Sequence, residues 1–427
     1  MFFEEPVVEK SQFFCPDIPF NQHLLSEDST NPAIFAPCPS FTPSQLLEQS
    51  LNFPQLQVFP YPQQQQQQVV VDVLYKAAEL VEAGNFVGAH VILARLNHHL
   101  PSPIGKPLFR SAFYFKEALQ FFVNSVNPQA ATFSPLDAVI KLSAYKAFSE
   151  VSPIPQFTCF TATQALLEEL GTANCIHIID FDISFGGQWS SFLQELAQRR
   201  SPRILLLKIT ALVSPSAFHP LELHLTRENL CRFAADLNIP FEIRFTNIEA
   251  FDPAEILALS AGTNESIAVN LPVDAWQGPS FPTLLRLVKQ LLPKIVISVD
   301  HGFGRNDLPF SHHFLHALQS CAIFLDSIDA AGIDLDVVNK IEKFVLQPKI
   351  ENCINRHHCA AEKILPWPTQ FESAGFKPVQ FSSFTEMQAE CLLKRLQVKG
   401  FHVEKRQASL YLHWKRGELA SVSVWKS

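Results

Sequence analysis

The densest group of potential metal ligands in the sequence lies near residue 355. Cys353 is followed by His357, His358 and Cys359, and three further histidines occur within residues 312–316. Zinc sites usually pair their ligands at a spacing of two to four residues. If this segment is helical, a cysteine beside two adjacent histidines directs its ligands apart. We therefore predict no metal site here and interpret these residues as buried cysteines and surface histidines.

A second group of polar residues follows the apolar run IHIID at 176–180, which continues as FDISFGGQW at 181–189. In α/β enzymes a D-x-G-x-G-x-G loop at such a place lets the backbone approach a nucleotide, and an acid on the next strand holds the ribose. Here Asp182 and Ser184 replace two of the glycines, and residues 196–221 contain no Asp or Glu. The sequence therefore predicts no adenosyl cofactor.

Other catalytic motifs are also missing from the sequence. It contains no G-x-S-x-G nucleophile elbow, no G-x-x-x-x-G-K-[ST] phosphate loop and no H-E-x-x-H zinc motif. His177 stands between apolar residues of the run at 176–180, which is typical of a hydrogen-bonded core histidine. We predict no catalytic residue and no cofactor.

The elements that must position these residues change in kind near residue 175. Five short apolar runs alternate with helical stretches at about 188–199, 228–238 and 281–292; the runs are 176–180, 204–209, 241–245, 267–271 and 295–300. Near-continuous apolar strands separated by helices indicate a parallel sheet covered on both faces. SLYLHWK and ELASVSVW then alternate around Arg416-Gly417, which predicts an antiparallel hairpin with Lys415 opposite Glu418. This layout is that of a Rossmann-like, class I methyltransferase-like fold.

Residues 69–170 are predicted to form a helical cap on this core. Helices are expected at about 107–124, at 134–149 with a capping box from Ser134 to Asp137, and at 157–170. Before them, Gly84-Asn85 separates the two helices of a hairpin, whose leucine seam has helical spacing: Leu74, Val81, Leu93, Leu96 and Leu100. We predict this seam as a candidate partner-binding surface; the alternative is that it joins the cap to the core.

The 427-residue chain is 47% hydrophobic and 17% charged, with a net charge of −8, so it can bury a large core. Its first 68 residues hold seven acids, one base, ten prolines and nine phenylalanines but no glycine, which predicts a disordered tail. This tail resembles an activation segment that folds onto a partner; the alternative is a solubilising tail with no partner. The remaining body, 69–427, is nearly neutral, so we predict little direct DNA binding. Nine cysteines without a C-x-x-C pair favour a reducing compartment, and we expect neither a membrane span nor a secretory signal.

Several motifs, in this order, resemble those of the GRAS family of plant transcriptional regulators. IHIID is similar to its VHIID signature, 69–130 to its first leucine-rich region, 309–331 and 348–363 to a diverged PFYRE region, and HWKRGELASVSVW (413–425) to its SAW motif. The matching motif residues are Ile176, His177, Ile178, Ile179, Asp180, Gln188, Trp189, Trp414, Glu418 and Trp425. FDISFGGQW, LPVDAW (271–276) and FVLQPKIE (344–351) are most similar to the Hairy Meristem branch of scarecrow-like proteins.

This resemblance implies a helical cap (69–170) on an α/β core (171–427), together forming one domain without catalysis. It also implies a nuclear co-regulator of shoot meristem maintenance and plant development. The implied partners are DNA-binding transcription factors, notably WUSCHEL-type homeodomain proteins, and a dimer of two such domains is a further partnership that it allows. A methyltransferase-like enzyme and a cytoplasmic interaction scaffold remain as alternatives.

Overall fold

The computed structural model describes residues 63–124, 134–198, 206–214, 217–249, 254, 265–274, 276, 280–358, 364–396 and 398–427. The helices of these ranges are α1 (Gln63–Glu82), α2 (Phe86–Leu96), α3 (Pro107–Asn124), α4 (Pro135–Val151), α5 (Pro153–Leu170), α6 (Gly187–Gln198), α7 (Pro220–Asp236), α8 (Phe281–Gln290), α9 (Phe310–Asp329), α10 (Leu335–Ile341), α11 (Gln347–His358), α12 (Trp367–Ser373) and α13 (Ser383–Lys394). A π-helical stretch, Glu342–Leu346, joins α10 to α11. The strands are β1 (Cys175–Asp180), β2 (Leu206–Val213), β3 (Phe241–Asn247), β4 (Ser266–Asn270), β5 (Ile295–Asp300), β6 (Lys377–Val379), β7 (Phe401–Arg406), β8 (Ser409–Trp414) and β9 (Gly417–Lys426).

The strands that the structure describes form one sheet in the order β3-β2-β1-β4-β5-β9-β8-β7, and β6 also pairs with β9. Strands β1 to β5 run parallel to one another, whereas β9 runs antiparallel to both β5 and β8. The order of the parallel strands reverses between β1 and β4, which is the point where ligands of such sheets bind. The predicted Rossmann-like fold with an antiparallel finish is confirmed.

The apolar runs form parallel strands because both of their faces are covered. Alternate residues of β1 point to opposite sides: Ile176 and Ile178 join a cluster with the cap and with α6, α7 and α9, and Ile179 joins a second cluster with α8 and α12. All residues of β4 and β5 are buried. Burial on both faces explains why these strands lack an alternating pattern.

The cap begins with the predicted helical hairpin. Gly84 takes a left-handed φ of 73°, and Asn85 caps α2 by accepting a 2.9 Å hydrogen bond from the amide of Gly88. The capping box of Ser134 and Asp137 is also present at the start of α4. One boundary differs from the prediction, because α1 starts at Gln63 and so includes six residues assigned to the disordered tail. The rest of that tail, residues 1–62, lies outside the described residues.

Charged and apolar contacts both join the cap to the core. Arg110 of α3 binds both carboxylate oxygens of Asp329 at 2.8 and 2.9 Å, and its Nη2 also lies 2.8 Å from Oε1 of the buried Glu342. Helices α1 and α3 pack on α9, and a single apolar cluster continues from the cap into the sheet. Cap and core therefore share one hydrophobic core.

The C-terminal hairpin is shifted by one residue from its predicted turn. Trp414 pairs with Gly417, so the loop is Lys415-Arg416, and Lys415 takes a φ of 53°. The predicted Lys415–Glu418 pair is therefore wrong: Lys415 binds Asp326 at 2.6 Å, and Glu418 lies 3.1 Å from Arg406. Gly417 serves close packing, since a Cβ atom there would lie 2.6 Å from the side chain of Ile323. Strand β7, which prediction missed, adds a third antiparallel strand beside β8.

Candidate functional site

The carboxyl end of β1 carries Asp180, whose side chain is fully buried. Its carboxylate accepts hydrogen bonds from the indole nitrogen of Trp189 at 2.6 Å and from the side-chain amide of Asn270 at 2.8 Å. A third bond comes from the backbone amide of Asp182 at 3.1 Å. Burial raises the pKa of Asp180 to about 6, and the hydrogen bonds oppose that rise. The group is thus held by the protein's own donors.

Several backbone amides of the loop after Asp180 are bound by groups of the protein itself. Oδ1 of Asp182 accepts from the amide and the hydroxyl of Ser184 at 3.0 and 3.1 Å, and the amide of Gly186 donates to the carbonyl of Ile183. Ser184 and Gly186 take left-handed φ values of 46° and 80°, so the backbone bends as a glycine loop does. The amides of Asp182, Ser184 and Gly186 are therefore bound within the protein and are not directed at a ligand.

An adenosyl cofactor, which this fold often carries, does not fit these residues. Asp182 and Ser184 place side chains where such a loop requires glycine, and their hydrogen bonds close the loop on itself. The end of β2 carries no acid of its own, although Glu249 beyond β3 hydrogen-bonds to Ser214 there. The prediction considered β2 alone and therefore missed the contact of Glu249 with Ser214. Oδ1 of Asn270 and Nε2 of Gln188 are buried without a partner among the described residues.

A second polar cluster lies at the end of β5. Asp300 accepts a 2.8 Å hydrogen bond from the indole nitrogen of Trp367 and a 2.9 Å bond from the amide of Gly302. Burial and the neighbouring Asp274 raise the pKa of Asp300 to about 8. His301 lies 2.5 Å from Asp274, yet burial lowers its pKa to about 3. At neutral pH these values give a protonated Asp300 and a neutral His301, and sequence analysis singled out neither residue.

His177 lies at the start of β1, away from the carboxyl ends of the strands. Its Nδ1 is 3.0 Å from Glu265 and its Nε2 is 2.9 Å from the hydroxyl of Thr210. Lys208 binds the other oxygen of Glu265 at 2.7 Å. Burial lowers the pKa of His177, so the ring is a neutral, fully bonded core group, as predicted.

Two residues of the metal-like cluster, His313 and Cys353, form a hydrogen bond with each other. His313 is buried, so the interpretation of these histidines as surface residues is wrong for His313. The amide of Arg305 donates to Nδ1 of His313, which leaves the proton on Nε2, 3.0 Å from Sγ of Cys353. Burial raises the pKa of the Cys353 thiol, so this sulfur is a poor nucleophile. The side chains of His357, His358 and Cys359 lie outside the described residues.

The leucine seam of the cap is buried. All five side chains belong to the apolar cluster shared by the cap and the core: Leu74, Val81, Leu93, Leu96 and Leu100. This burial contradicts the interpretation of the seam as an exposed partner-binding surface. It agrees with the alternative, that the seam joins the cap to the core, because these side chains lie in the apolar cluster that both parts share.

The tryptophans near the end of the chain anchor the antiparallel strands. The indole nitrogen of Trp414 donates to Asp326 on α9 at 2.6 Å. Trp425 stacks on Phe371 with 4.6 Å between ring centroids and donates to Ser298 at 3.0 Å. These motif residues therefore have structural roles, as do Ile176, Ile178 and Ile179 in β1.

Comparison with known proteins agrees with this geometry. The GRAS domain family matches residues 70–426. The chain belongs to the GRAS family. It is 43% identical over 358 residues to Scarecrow-like protein 6 and 43% identical over 379 residues to Scarecrow-like protein 27, both of Arabidopsis thaliana, with 84% of this chain covered each time. The crystal structure of SCL7 from Oryza sativa matches with a TM-score of 0.64 and 26% identity, covering 84% of this chain and 99% of that one.

The matching region is only part of the larger relatives. This GRAS protein spans 63% of Scarecrow-like protein 6 and 59% of Scarecrow-like protein 27. A more distant relative, DELLA protein GAIP of Cucurbita maxima, is 29% identical over 372 residues. Among the described residues, no helix combines the length and apolar character that crossing a membrane requires.

Proposed function

We propose that this GRAS protein is a non-catalytic nuclear transcriptional co-regulator. Membership of a family that includes scarecrow-like and DELLA proteins supports the regulatory role. The observation that carries the non-catalytic part is the closed loop after Asp180. There, the amide and the hydroxyl of Ser184 donate hydrogen bonds to the carboxylate of Asp182. The indole nitrogen of Trp189 donates a hydrogen bond to the carboxylate of Asp180. In this protein, side chains of the loop after β1 fill the place where other proteins of this fold bind a cofactor.

The co-regulator acts through DNA-binding partners. A net charge of −8 disfavours direct binding to the negatively charged DNA backbone, so we expect contact with DNA to come from a partner. Several of its cations are already paired within the fold, such as Lys208 with Glu265 and Arg110 with Asp329. Following the similarity to the Hairy Meristem branch, the proposed partners are WUSCHEL-type homeodomain proteins, and the proposed role is meristem maintenance.

Affinity capture from shoot-apex nuclei, followed by mass spectrometry and chromatin immunoprecipitation, tests the proposal. We expect homeodomain proteins among the captured partners, and promoter occupancy that is lost when the partner is removed. A matched variant, Asp182→Gly with Ser184→Gly, changes the loop and should capture the same partners. Methyl transfer by the wild-type protein would contradict the proposal, and capture of cytoplasmic partners alone would favour the scaffold.

A further inference from the structure

Charge is unevenly distributed between the two ends of the chain. Residues 377–427 contain nine Lys and Arg residues and four acids, whereas residues 1–62 contain seven acids and one base. The acidic 62-residue segment that precedes α1 also carries paired phenylalanines beside acids, as in MFFEE and SQFFCPD. The sequence thus contains an acidic, aromatic segment and a basic region.

Helix α13 lies in this basic region and exposes apolar side chains. Phe384 and Met387 are 49% and 53% exposed, one turn apart on its outer face, and Cys391 continues that face half-buried. The inner face buries Thr385, Ala389 and Leu393. The outer face therefore offers an apolar stripe with a methionine, a side chain that packs well against aromatic rings.

The charges around this stripe are only partly paired. Glu386 binds Lys405 on β7, and Glu390 lies 3.5 Å from Lys394. Arg395 and Lys399, both exposed, make no ion pair with any residue that the structure describes. The stripe thus ends in two cations whose charge is not balanced locally.

We propose that the acidic N-terminal segment of the same chain, residues 2–9, binds this surface. Phe2 and Phe3 cover Phe384 and Met387, while Glu4, Glu5 and Glu9 face Arg395 and Lys399. The lengths agree: the helix rises about 16 Å from residue 384 to 395, and an extended chain covers about 20 Å from residue 3 to 9. Residues 10–62 connect this segment to α1, and a chain of about 50 residues can span up to about 170 Å when fully extended, so the connection is long enough.

A second exposed apolar patch offers a poorer match. Leu136 and Leu335 are exposed at the starts of α4 and α10, but Asp137, Asp334 and Asp336 lie beside them and would repel an acidic segment. A second copy of the chain also fits less well on α13. One helical stripe offers far less than the roughly 800 Å² per partner of a stable dimer, whereas a tethered segment has a high effective concentration.

Photo-crosslinking in the full chain tests this contact. p-Benzoylphenylalanine replaces Phe3, and crosslinked peptides are mapped by mass spectrometry in low salt. We expect the main product to have monomer mass and to join the tail to residues 381–396. Arg395→Glu with Lys399→Glu should reduce its yield about fivefold because two attractive charges become repulsive. Adding Glu4→Lys, Glu5→Lys and Glu9→Lys should restore it.

The matched control reverses two exposed cations near the other patch. Lys340→Glu with Lys343→Glu should leave the yield unchanged. Lys340, Lys343, Arg395 and Lys399 are all exposed, so reversing their charges should not prevent folding. A main product of dimer mass would overturn the proposal in favour of a second copy. Crosslinks concentrated near Leu136, or a yield that ignores reversal of Arg395 and Lys399, would also overturn it.

Discussion

The indole nitrogen of Trp189 lies 2.6 Å from Oδ2 of Asp180, and both side chains are buried. This contact joins the end of β1 to the first turn of α6 across the loop that an enzyme of this fold would use for its cofactor. Because the carboxylate is also bonded to Asn270, its orientation is fixed from two sides. Asp180 therefore has a structural role, because its hydrogen bonds connect β1 to α6 and to β4.

The closed loop predicts that adenosylmethionine does not bind. Titration calorimetry with the wild-type protein should show no heat of binding up to about 1 mM ligand, which corresponds to less than about 4 kcal/mol of binding free energy. The variant Asp182→Gly with Ser184→Gly serves as the comparison, since it removes both side chains that close the loop. Micromolar binding by the wild type would overturn the non-catalytic interpretation.

Asp300 predicts a pH-dependent stability. Its folded-state pKa of about 8 exceeds the ordinary value for Asp, so the folded protein keeps a proton that the unfolded chain has released. The contribution of Asp300 to stability is therefore full below about pH 4 and falls as pH rises to about 8, by at most about 1.4 kcal/mol per pH unit.

The variant Asp300→Asn isolates this contribution because asparagine does not titrate. Urea unfolding of both proteins at several pH values should show that wild type loses stability relative to Asp300→Asn between pH 5 and pH 8, given the folded-state pKa of about 8. Parallel profiles would show that Asp300 is ionised in the folded protein.

Arg110 and Glu342 predict a non-additive pair. Arg110→Met leaves Glu342, which is 1% exposed, without its cation, and should cost about 3–5 kcal/mol of unfolding free energy. The double variant Arg110→Met with Glu342→Met removes both charges and should be more stable than Arg110→Met alone. Urea denaturation of Arg110→Met, Glu342→Met and the double variant measures the interaction between the two charges. Simple addition of the two single effects would mean that the charges do not interact.

Helix α2 allows a direct test of the buried seam. Leu93→Asp with Leu96→Asp places two carboxylates in the apolar core and should cost several kcal/mol, giving insoluble protein. The control is Val87→Asp on the same helix, where the native side chain is 69% exposed and thermal unfolding should change little. A folded, soluble Leu93→Asp, Leu96→Asp protein would show that the seam is not part of the core.

The shared core predicts that cap and core unfold together. Limited proteolysis should remove residues before α1 and then stop, because α1 and α3 bury their apolar faces against α9. A stable fragment produced by cleavage near Gly171 would show instead that the cap and the sheet are independent domains.

Much of the fold could be predicted from local patterns. The helical hairpin, the Ser134 capping box and the five parallel strands all follow from residue spacing and from the lengths of apolar runs. The turn at Lys415 was misplaced because glycine usually marks a turn, whereas Gly417 is required by the approach of Ile323. That contact joins residues distant in sequence, so no local pattern contains it.

The candidate site was predictable only in part. Replacement of loop glycines by Asp182 and Ser184 was visible in the sequence, and so was the apolar setting of His177. The cluster of Asp274, Asp300 and His301 was not, because the altered pKa values of Asp300 and His301 arise only when folding buries them and brings Asp274 beside Asp300. For the leucine seam, the spacing correctly predicted an apolar helix face. Spacing alone cannot tell whether such a face is buried in the core or exposed to a partner.

The position of β9 has a consequence during synthesis. This strand lies between β5 and β8 in the sheet, yet it is translated after both of them. The last residue of β9 is added 126 residues after the end of β5. At a synthesis rate of roughly 5–20 residues per second, one edge of β5 stays without its neighbouring strand for about 6–25 seconds. An unpaired edge of this kind attracts strands from other nascent chains. Ribosome-associated chaperones should therefore matter more to this protein than to one whose strands are translated in their spatial order.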